Sequence, residues 1–194
     1  MENITTNIMM VGVGGQGSLL ASRILGAVAL KSGYDVKASE VHGMSQRGGS
    51  VVTYLKYGEK VYSPVICRGE ADIILAFEQL EALRWLPYLK KNGTMIMSEY
   101  KVNPAPVITG AMEYPKDISK IIAGTGINLI CVDAFGLAVR AGTDKAANVV
   151  IIGALAKLMQ DSINKDAYID ALRCEVNPKF FDANLAAFDL GYNA

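Results

Sequence analysis

Residues Ile8–Gly17 read IMMVGVGGQG. The first six, Ile8–Val13, make a short apolar run of the kind a buried strand needs, and the run ends in glycines. Gln16–Ser32 then sets Leu20, Ile24, Ala27, Val28 and Leu30 at helical spacing, and Gly33 follows where a helix-stopping glycine belongs. Tyr34–Ala38 is a second run, short and near-alternating. Strand, glycine turn, helix and strand form a βαβ unit, which implies aligned strands and a right-handed crossover. The expected class is α/β: a Rossmann-like, mostly parallel sheet flanked by helices.

Downstream, Ser50–Tyr57 and Lys60–Ile66 alternate on either side of Gly58-Glu59 and read as an inserted antiparallel hairpin. Pro64 puts the second arm at an edge or a strand end. Ala71–Phe77 reads as a strand, Gln79–Lys91 as a helix closed by Asn92-Gly93, and Thr94–Ser98 as a strand. Pro104 and Pro106 mark a loop before a strand at Pro106–Ile108. Asp117–Ala123 reads as a short helix, Asn128–Asp133 as a strand, and Asn148–Met159 as an apolar segment packed on the sheet. Lys165–Glu175 and Pro178–Leu190 read as two surface helices. No repeat or linker interrupts 1–194, so one domain is expected, its C-terminal helices (about 165–194) peripheral.

A chain of 194 residues can bury a substantial core. Its 51% hydrophobic and 20% charged content has two explanations of equal weight, a large core or a subunit interface. Nineteen basic residues balance nineteen acidic ones, so no field draws nucleic acid or an anionic membrane, and neither is an expected partner. The N-terminal residues lack the basic start of a secretion signal, and the apolar run at 148–159 is short for a membrane span. Cys67, Cys131 and Cys174 are scattered, without a CxxC and away from the single histidine, so neither zinc nor an iron–sulfur cluster is read from them. Buried packing as small hydrophobes is their expected role, and a cytoplasmic chain the expected setting.

Gly12, Gly14 and Gly17 meet the G-x-G-x-x-G spacing, in which glycine amides at a helix N-terminus suit an anion. Glu40 falls near the place of the acidic residue that such a fingerprint carries about 20 residues on. A polar loop and a hairpin follow Glu40, however, and not the next βα unit. The motif leaves three readings open: a nucleotide site, a phosphate-bearing or subunit-contacting turn, and a turn without ligand. Gln16 adds an amide for a ligand or a neighbouring loop.

Ser39–Val51 reads SEVHGMSQRGGSV, which core packing does not ask for and a binding loop does. The Arg47 guanidinium can make paired hydrogen bonds to a carboxylate or phosphate, beside the exposed amides of Gly48 and Gly49. Ser45 and Gln46 add neutral partners, and Glu40 can orient Arg47 or bond a ligand. His42 is open to two readings, a general base or a brace for the loop. A subunit contact through Arg47 is the plainer alternative for the whole loop. Glu78 and Glu81 suit a helix N-terminus, Asp133 caps or serves at a strand end, and Trp85 packs.

Taken together, VGVGGQG, SEVHGMSQRGGSV, YSPVI (Tyr62–Ile66) and EADIILAFEQLEALR (Glu70–Arg84) resemble the gamma subunit or domain of the 2-oxoacid:ferredoxin oxidoreductases. The EVHGMSQRGG form is similar to the small subunit of the indolepyruvate branch. The resemblance implies a subunit of an enzyme that oxidatively decarboxylates a 2-oxoacid, passes the acyl group to coenzyme A and delivers electrons to ferredoxin. It places thiamine diphosphate and the iron–sulfur clusters on a larger partner subunit, and it gives this chain a part in completing the site and placing coenzyme A. The matching positions are Gly12, Gly14, Gly15, Gln16 and Gly17 in the turn, and Glu40, Gly43, Ser45, Gln46, Arg47, Gly48 and Gly49 in the loop. The resemblance assigns this chain no acid–base residue, since the ylid chemistry belongs to the cofactor. An enzyme for another 2-oxoacid (pyruvate, 2-oxoglutarate or a branched-chain acid), a free-standing Rossmann-type nucleotide binder and a docking scaffold are the alternatives. A chain without its partner is free to self-associate through the vacant interface as one further alternative.

Overall fold

A computed structural model describes residues 5–43 and 48–194. Strand β1 (Thr5–Val13) lies inside a six-stranded sheet, and its Ile8, Met9, Met10 and Val11 are at most 1% exposed. Alternation along β1 divides the core: Ile8 and Met10 face one layer, Met9 and Val11 the other. The remaining strands are β2 (Asp35–His42), β3 (Ser50–Gly58), β4 (Ala71–Ala76), β5 (Leu89–Ser98) and β6 (Asn128–Val132), in the order β2-β3-β1-β4-β5-β6. Pairs β1–β4, β4–β5 and β5–β6 are parallel, whereas β3 runs antiparallel to both β1 and β2. Among the described strands β3 alone is reversed, which leaves the sheet mostly parallel.

The first layer holds α1 (Ser18–Lys31), α5 (Ala134–Arg140), α6 (Ala147–Leu158), α7 (Lys165–Glu175) and α8 (Phe181–Tyr192). The opposite layer is built by α2 (Gln79–Trp85) and α4 (Ile118–Ala123). A one-turn helix, α3 (Ala105–Ile108), spans the segment read as a strand, because Pro104 and Pro106 set its first turn. Helix α2 stops earlier than its pattern implies, since Pro87 converts Leu86–Tyr88 to a 3₁₀ turn. Asn92, at φ 65°, then bends β5 and does not close a helix.

The expected hairpin is present with a different arm. Lys60–Ile66 forms no strand. The arm opposite β3 is β2, in a register from Asp35↔Gly58 to His42↔Val51, so β3 inserts between the two strands of the βαβ unit. Lys60–Ile66 is instead a packed loop, held at either end by the buried Val61 and Ile66. Asp35 holds that loop by accepting the Val61 amide at 2.9 Å.

Two further expectations are corrected. Helices α7 and α8 belong to the core: Tyr168, Leu172 and Phe188 are at most 1% exposed. Backbones of α6 and α8 meet through glycines, since a Cβ on Gly191 would lie 1.9 Å from the Val150 carbonyl oxygen. Cys67, Cys131 and Cys174 are all exposed, not buried. No helix among the described residues is long and apolar enough to cross a membrane. The large core accounts for much of the apolar composition, while Tyr62, Ile108 and Met112 stay exposed.

Candidate binding site at the glycine turn

The turn after β1 divides its glycines between packing and access. Gln16 folds back so that its Oε1 accepts the Val13 amide at 2.7 Å and its Nε2 donates to the Phe77 carbonyl at 3.1 Å. Its amide therefore ties the turn to the end of β4. Gly12 makes room for this bond, as a Cβ there would lie 2.7 Å from Gln16 Oε1. Gly17 begins α1 at φ 81°, pressed against Asn148 of α6, and no side chain caps the helix. Gly15, at φ 104°, has nothing within 4 Å of where a Cβ would stand. Its backbone is open to a ligand, beside the uncapped first turn of α1.

The polar stretch Ser39–Val51 includes the end of β2 and the start of β3, and the β1–β3 register brings Gly48 and Gly49 to this turn. Val13 lies opposite Ser50, the Gly14 amide donates to Gly49 O at 2.8 Å, and Gly48 N reaches Gly14 O at 3.4 Å. Glu40 and His42 join Gly14, Gly15 and Gly17 around an open crevice of about 490 Å³. His42 is exposed, with Nδ1 3.3 Å from its neighbour's carbonyl at Gly43. Glu40 sits two strands from β1, about 10 Å at the usual strand spacing. A Rossmann fingerprint puts that carboxylate on the adjacent strand, so the nucleotide geometry is altered here. Ser45, Gln46 and Arg47 lie outside the described residues.

A second crevice, of about 220 Å³, opens on the other side of Gly15. Phe77 follows β4, Tyr100 follows β5 and Phe135 follows β6, and all three line it with Ile151, Lys145 and Asn148. Tyr100 and Phe135 stack with centroids 5.2 Å apart. Sequence reasoning missed this group because its members share no motif. Each lies just beyond the carboxyl end of a parallel strand, which was the available signal.

Glu78 and Glu81 do more than favour a helix dipole. Glu78, 1% exposed, caps α2 by accepting the Glu81 amide at 2.9 Å. Its other oxygen accepts from Val102 N at 3.0 Å and Tyr114 OH at 2.5 Å. Burial, and next the Glu78 carboxylate, push the Tyr114 hydroxyl above the ordinary tyrosine range. Glu81, 4% exposed, accepts from the Ser50 hydroxyl and from Trp85 Nε1 at 3.2 Å, and pairs with Arg84 at 3.1 Å. Ser50 directly follows the polar loop, so this buried carboxylate fixes the loop's exit. Asp133 caps α5 through the Gly136 amide at 2.9 Å.

Among the described residues no three His, Cys, Asp or Glu side chains are grouped to hold a metal. The cysteines lie on separate elements: the loop after β3, strand β6 and helix α7. An iron–sulfur cluster held by this chain does not fit that placement.

The family model for pyruvate ferredoxin/flavodoxin oxidoreductase matches residues 7–194. Indolepyruvate oxidoreductase subunit IorB of Thermococcus kodakarensis is 42% identical over 191 residues, covering 97% of this chain and 95% of that one. The subunit of the same name from Pyrococcus horikoshii gives the same identity and coverage. Among solved structures, a keto/oxoacid ferredoxin oxidoreductase gamma subunit from Geobacter sulfurreducens superposes with a TM-score of 0.72 at 22% identity, covering 97% of this chain and 96% of that one. That last likeness concerns the fold.

Proposed function

Because the chain belongs to the pyruvate ferredoxin/flavodoxin oxidoreductase family, we propose that it is the small subunit of an indolepyruvate:ferredoxin oxidoreductase. The observation that carries the substrate is the 42% identity, over nearly the whole of both chains, to two subunits named for indolepyruvate. In this reading the complex oxidatively decarboxylates an arylpyruvate, transfers the acyl group to coenzyme A sulfur and sends the electrons to ferredoxin.

Thiamine diphosphate and the iron–sulfur clusters belong, in the same proposal, to a larger partner subunit, and supply the ylid and redox chemistry when bound. The scattered cysteines of this chain support that division. The chain acts as one domain, 1–194, in a reducing cytoplasm. Its own contribution is to position coenzyme A. The open backbone of Gly15 and the uncapped start of α1 offer amides to phosphate. Glu40 and His42 border the same crevice. Gly43, Ser45, Gln46, Arg47, Gly48 and Gly49 are assigned to it by sequence position, since the exit of their loop bonds to Gly14. Gly12, Gln16 and Gly17 hold the turn in shape.

The test is anaerobic purification of the tagged chain with its partner, followed by viologen reduction with indolepyruvate, pyruvate, 2-oxoglutarate and a branched-chain 2-oxoacid. Coenzyme A-dependent turnover with the highest kcat/KM for indolepyruvate is expected. A preference for another 2-oxoacid overturns the substrate. A colourless chain purified alone, without turnover, overturns the subunit reading.

A further inference from the structure

Glu78 stands where β4 gives way to α2, and the chain returns to it twice. One carboxylate oxygen, Oε2, accepts the Glu81 amide and caps the helix. The other, Oε1, accepts both the Val102 amide at 3.0 Å and the Tyr114 hydroxyl at 2.5 Å. Two residues from opposite ends of one excursion after β5 therefore meet on a single buried atom. They close the base of loop 102–114 in the manner of an Ω-loop. The Lys101 ammonium, 5.9 Å from the Tyr114 ring centroid, draws the same two feet together.

A helix cap alone does not ask for this residue. Short side chains (Ser, Thr, Asp, Asn) cap best, because the amide they satisfy is close by. Glutamate reaches further, and three donors with no acceptor among them suit an acceptor-only carboxylate. The loop itself lacks a core: no residue from Asn103 to Glu113 is buried. Its own bonds are local, with the Ile108 amide donating to Pro104 O and the Met112 amide to Pro106 O, each at 3.1 Å. A segment without buried residues opens easily unless its ends are tied. Gln79, the next residue, extends the clasp. Its amide donates to Tyr100 O at 3.1 Å and its Nε2 to Glu99 O at 2.7 Å. Glu78 and Gln79 thus lace Glu99–Val102 to the start of α2, and within that stretch Tyr100 forms part of the crevice wall beside Gly15, stacked on Phe135.

We propose that Glu78 is a positioning residue, which closes the base of loop 102–114 and thereby keeps Tyr100 set in the crevice wall during turnover. Its kinetic consequence rests on the reading of the chain as a subunit of a coenzyme A-dependent oxidoreductase.

Three variants of the assembled complex separate the clasp from the cap. Glu78→Asp keeps a carboxylate suited to capping but falls a methylene short of the loop's feet. Glu78→Gln keeps the length and turns an amide N–H₂ toward a donor. Tyr114→Phe removes one foot alone, and carries the test if the Glu78 variants do not assemble. Hydrogen exchange at the 103–113 amides is expected to quicken roughly tenfold or more in both Glu78 variants, the effect of a lost charge-assisted bond, and to a smaller extent in Tyr114→Phe. KM for coenzyme A is expected to rise about threefold or more, while kcat and KM for the 2-oxoacid stay within about twofold. Tyr114→Phe added to Glu78→Asp should change little further, because both act on one contact. Exchange unaltered by Glu78→Asp overturns the clasp. Faster exchange with an unmoved KM for coenzyme A, or with an equal rise for the 2-oxoacid, overturns the positioning role. Faster exchange that spreads from the loop to the Glu99 and Tyr100 amides supports the proposal even if the unaltered complex shows no coenzyme A-dependent turnover, a result that would overturn the proposed function alone.

Discussion

Asn148, on α6, donates its side-chain amide to the Gly17 carbonyl at 3.0 Å, so a helix from the far end of the chain holds the first turn of α1. The contact also explains why position 17 is glycine. A Cβ there would lie 2.4 Å from Asn148 Nδ2, on a backbone at φ 81°. Left-handed backbone costs a non-glycine residue about 1–2 kcal/mol, and the displaced amide loses a hydrogen bond of about 1 kcal/mol. Gly17→Ala is expected to lower Tm by about 5–10 °C, at roughly 2–4 °C per kcal/mol for a chain of this size. In an Asn148→Ala background the penalty should shrink to the backbone strain alone. Thermal melts of the two single variants and the double variant measure the coupling. An unchanged penalty in that background would mean that Asn148 does not crowd the turn.

Gly15 provides the contrast. Its φ of 104° disfavours a side chain, but no atom lies near the added Cβ. Gly15→Ala therefore keeps the packing of the turn and covers the backbone that a ligand would approach. We expect a rise in KM for coenzyme A of at least about fivefold, because one blocked phosphate–amide hydrogen bond involving a charge is worth about 1.5–3 kcal/mol. KM for the 2-oxoacid should hold. Steady-state kinetics of the assembled complex decide it, and an equal change in both constants would count against ligand approach at Gly15.

The single tryptophan reports on the anchor of the polar loop. Trp85 Nε1 donates to the buried Glu81 carboxylate, which also accepts the Ser50 hydroxyl and pairs with Arg84. Glu81→Ala leaves these donors without their acceptor, at a cost of about 1–3 kcal/mol for each buried one. Lower Tm and a shifted Trp85 emission maximum are expected. Ser50→Ala removes one donor and should leave the emission nearly as it was while loosening the loop's exit. Fluorescence spectra and melts of both variants test this. An emission maximum unmoved by Glu81→Ala would exclude the indole–carboxylate bond.

Where local pattern and tertiary fate coincide, the sequence reads well. Ile8–Val13, Ala71–Phe77, Thr94–Ser98 and Lys165–Glu175 all form the expected elements, because each pattern reflects a face that the sheet or a helix pair then buries. Lys60–Ile66 misleads for a physical reason: Val61 and Ile66 anchor the two ends of a packed loop, and their burial puts apolar residues in a stretch that pairs with no strand. Insertion of β3 between β1 and β2 is invisible locally, since residue spacing does not encode strand order. The glycine turn and the Glu40–His42 end of the polar loop were legible as a pair of motifs, and the register brings them together. Phe77, Tyr100 and Phe135 were not, because only the order β4-β5-β6 makes them neighbours.

Several tyrosines make stability fall in alkali. Burial raises the hydroxyls of Tyr57, Tyr114 and Tyr168 above their ordinary value of 10.0, and Glu78 adds to the effect at Tyr114. A raised folded-state value means that the native chain keeps protons which the unfolded chain loses. Their contribution is intact below pH 10.0 and declines as pH rises above it. Tm is expected to be level from pH 8 to about 9.5 and to fall beyond that, more steeply than solvent-exposed tyrosines would allow. Tyr114→Phe should flatten part of the fall, at the cost of one donor to Glu78. Melts across this range check both, and a slope unaltered in the variant would remove Tyr114 from the account.

The C-terminal helices offer the clearest test of where the core ends. Gly153 on α6 and Gly191 on α8 face one another's backbones: a Cβ on Gly153 would lie 2.2 Å from the Phe188 carbonyl oxygen, and one on Gly191 1.9 Å from that of Val150. Neither neighbour is a flexible side-chain tip, so relief requires the two helices to separate. Separation opens the layer that holds Phe188, Tyr168 and Ile151, all at most 1% exposed. Overpacking of this kind costs about 1–3 kcal/mol. Gly191→Ala and Gly153→Ala should therefore each lower Tm by several degrees, roughly 2–4 °C per kcal/mol. Together they should cost less than the sum of the two, because one helix displacement relieves both clashes. Removing residues 165–194 would strip the first layer from α6, whose Val149–Leu155 stretch is buried almost throughout. That truncation should give an insoluble or dye-binding product. A truncated chain that melts cooperatively near the full-length Tm would return α7 and α8 to the periphery.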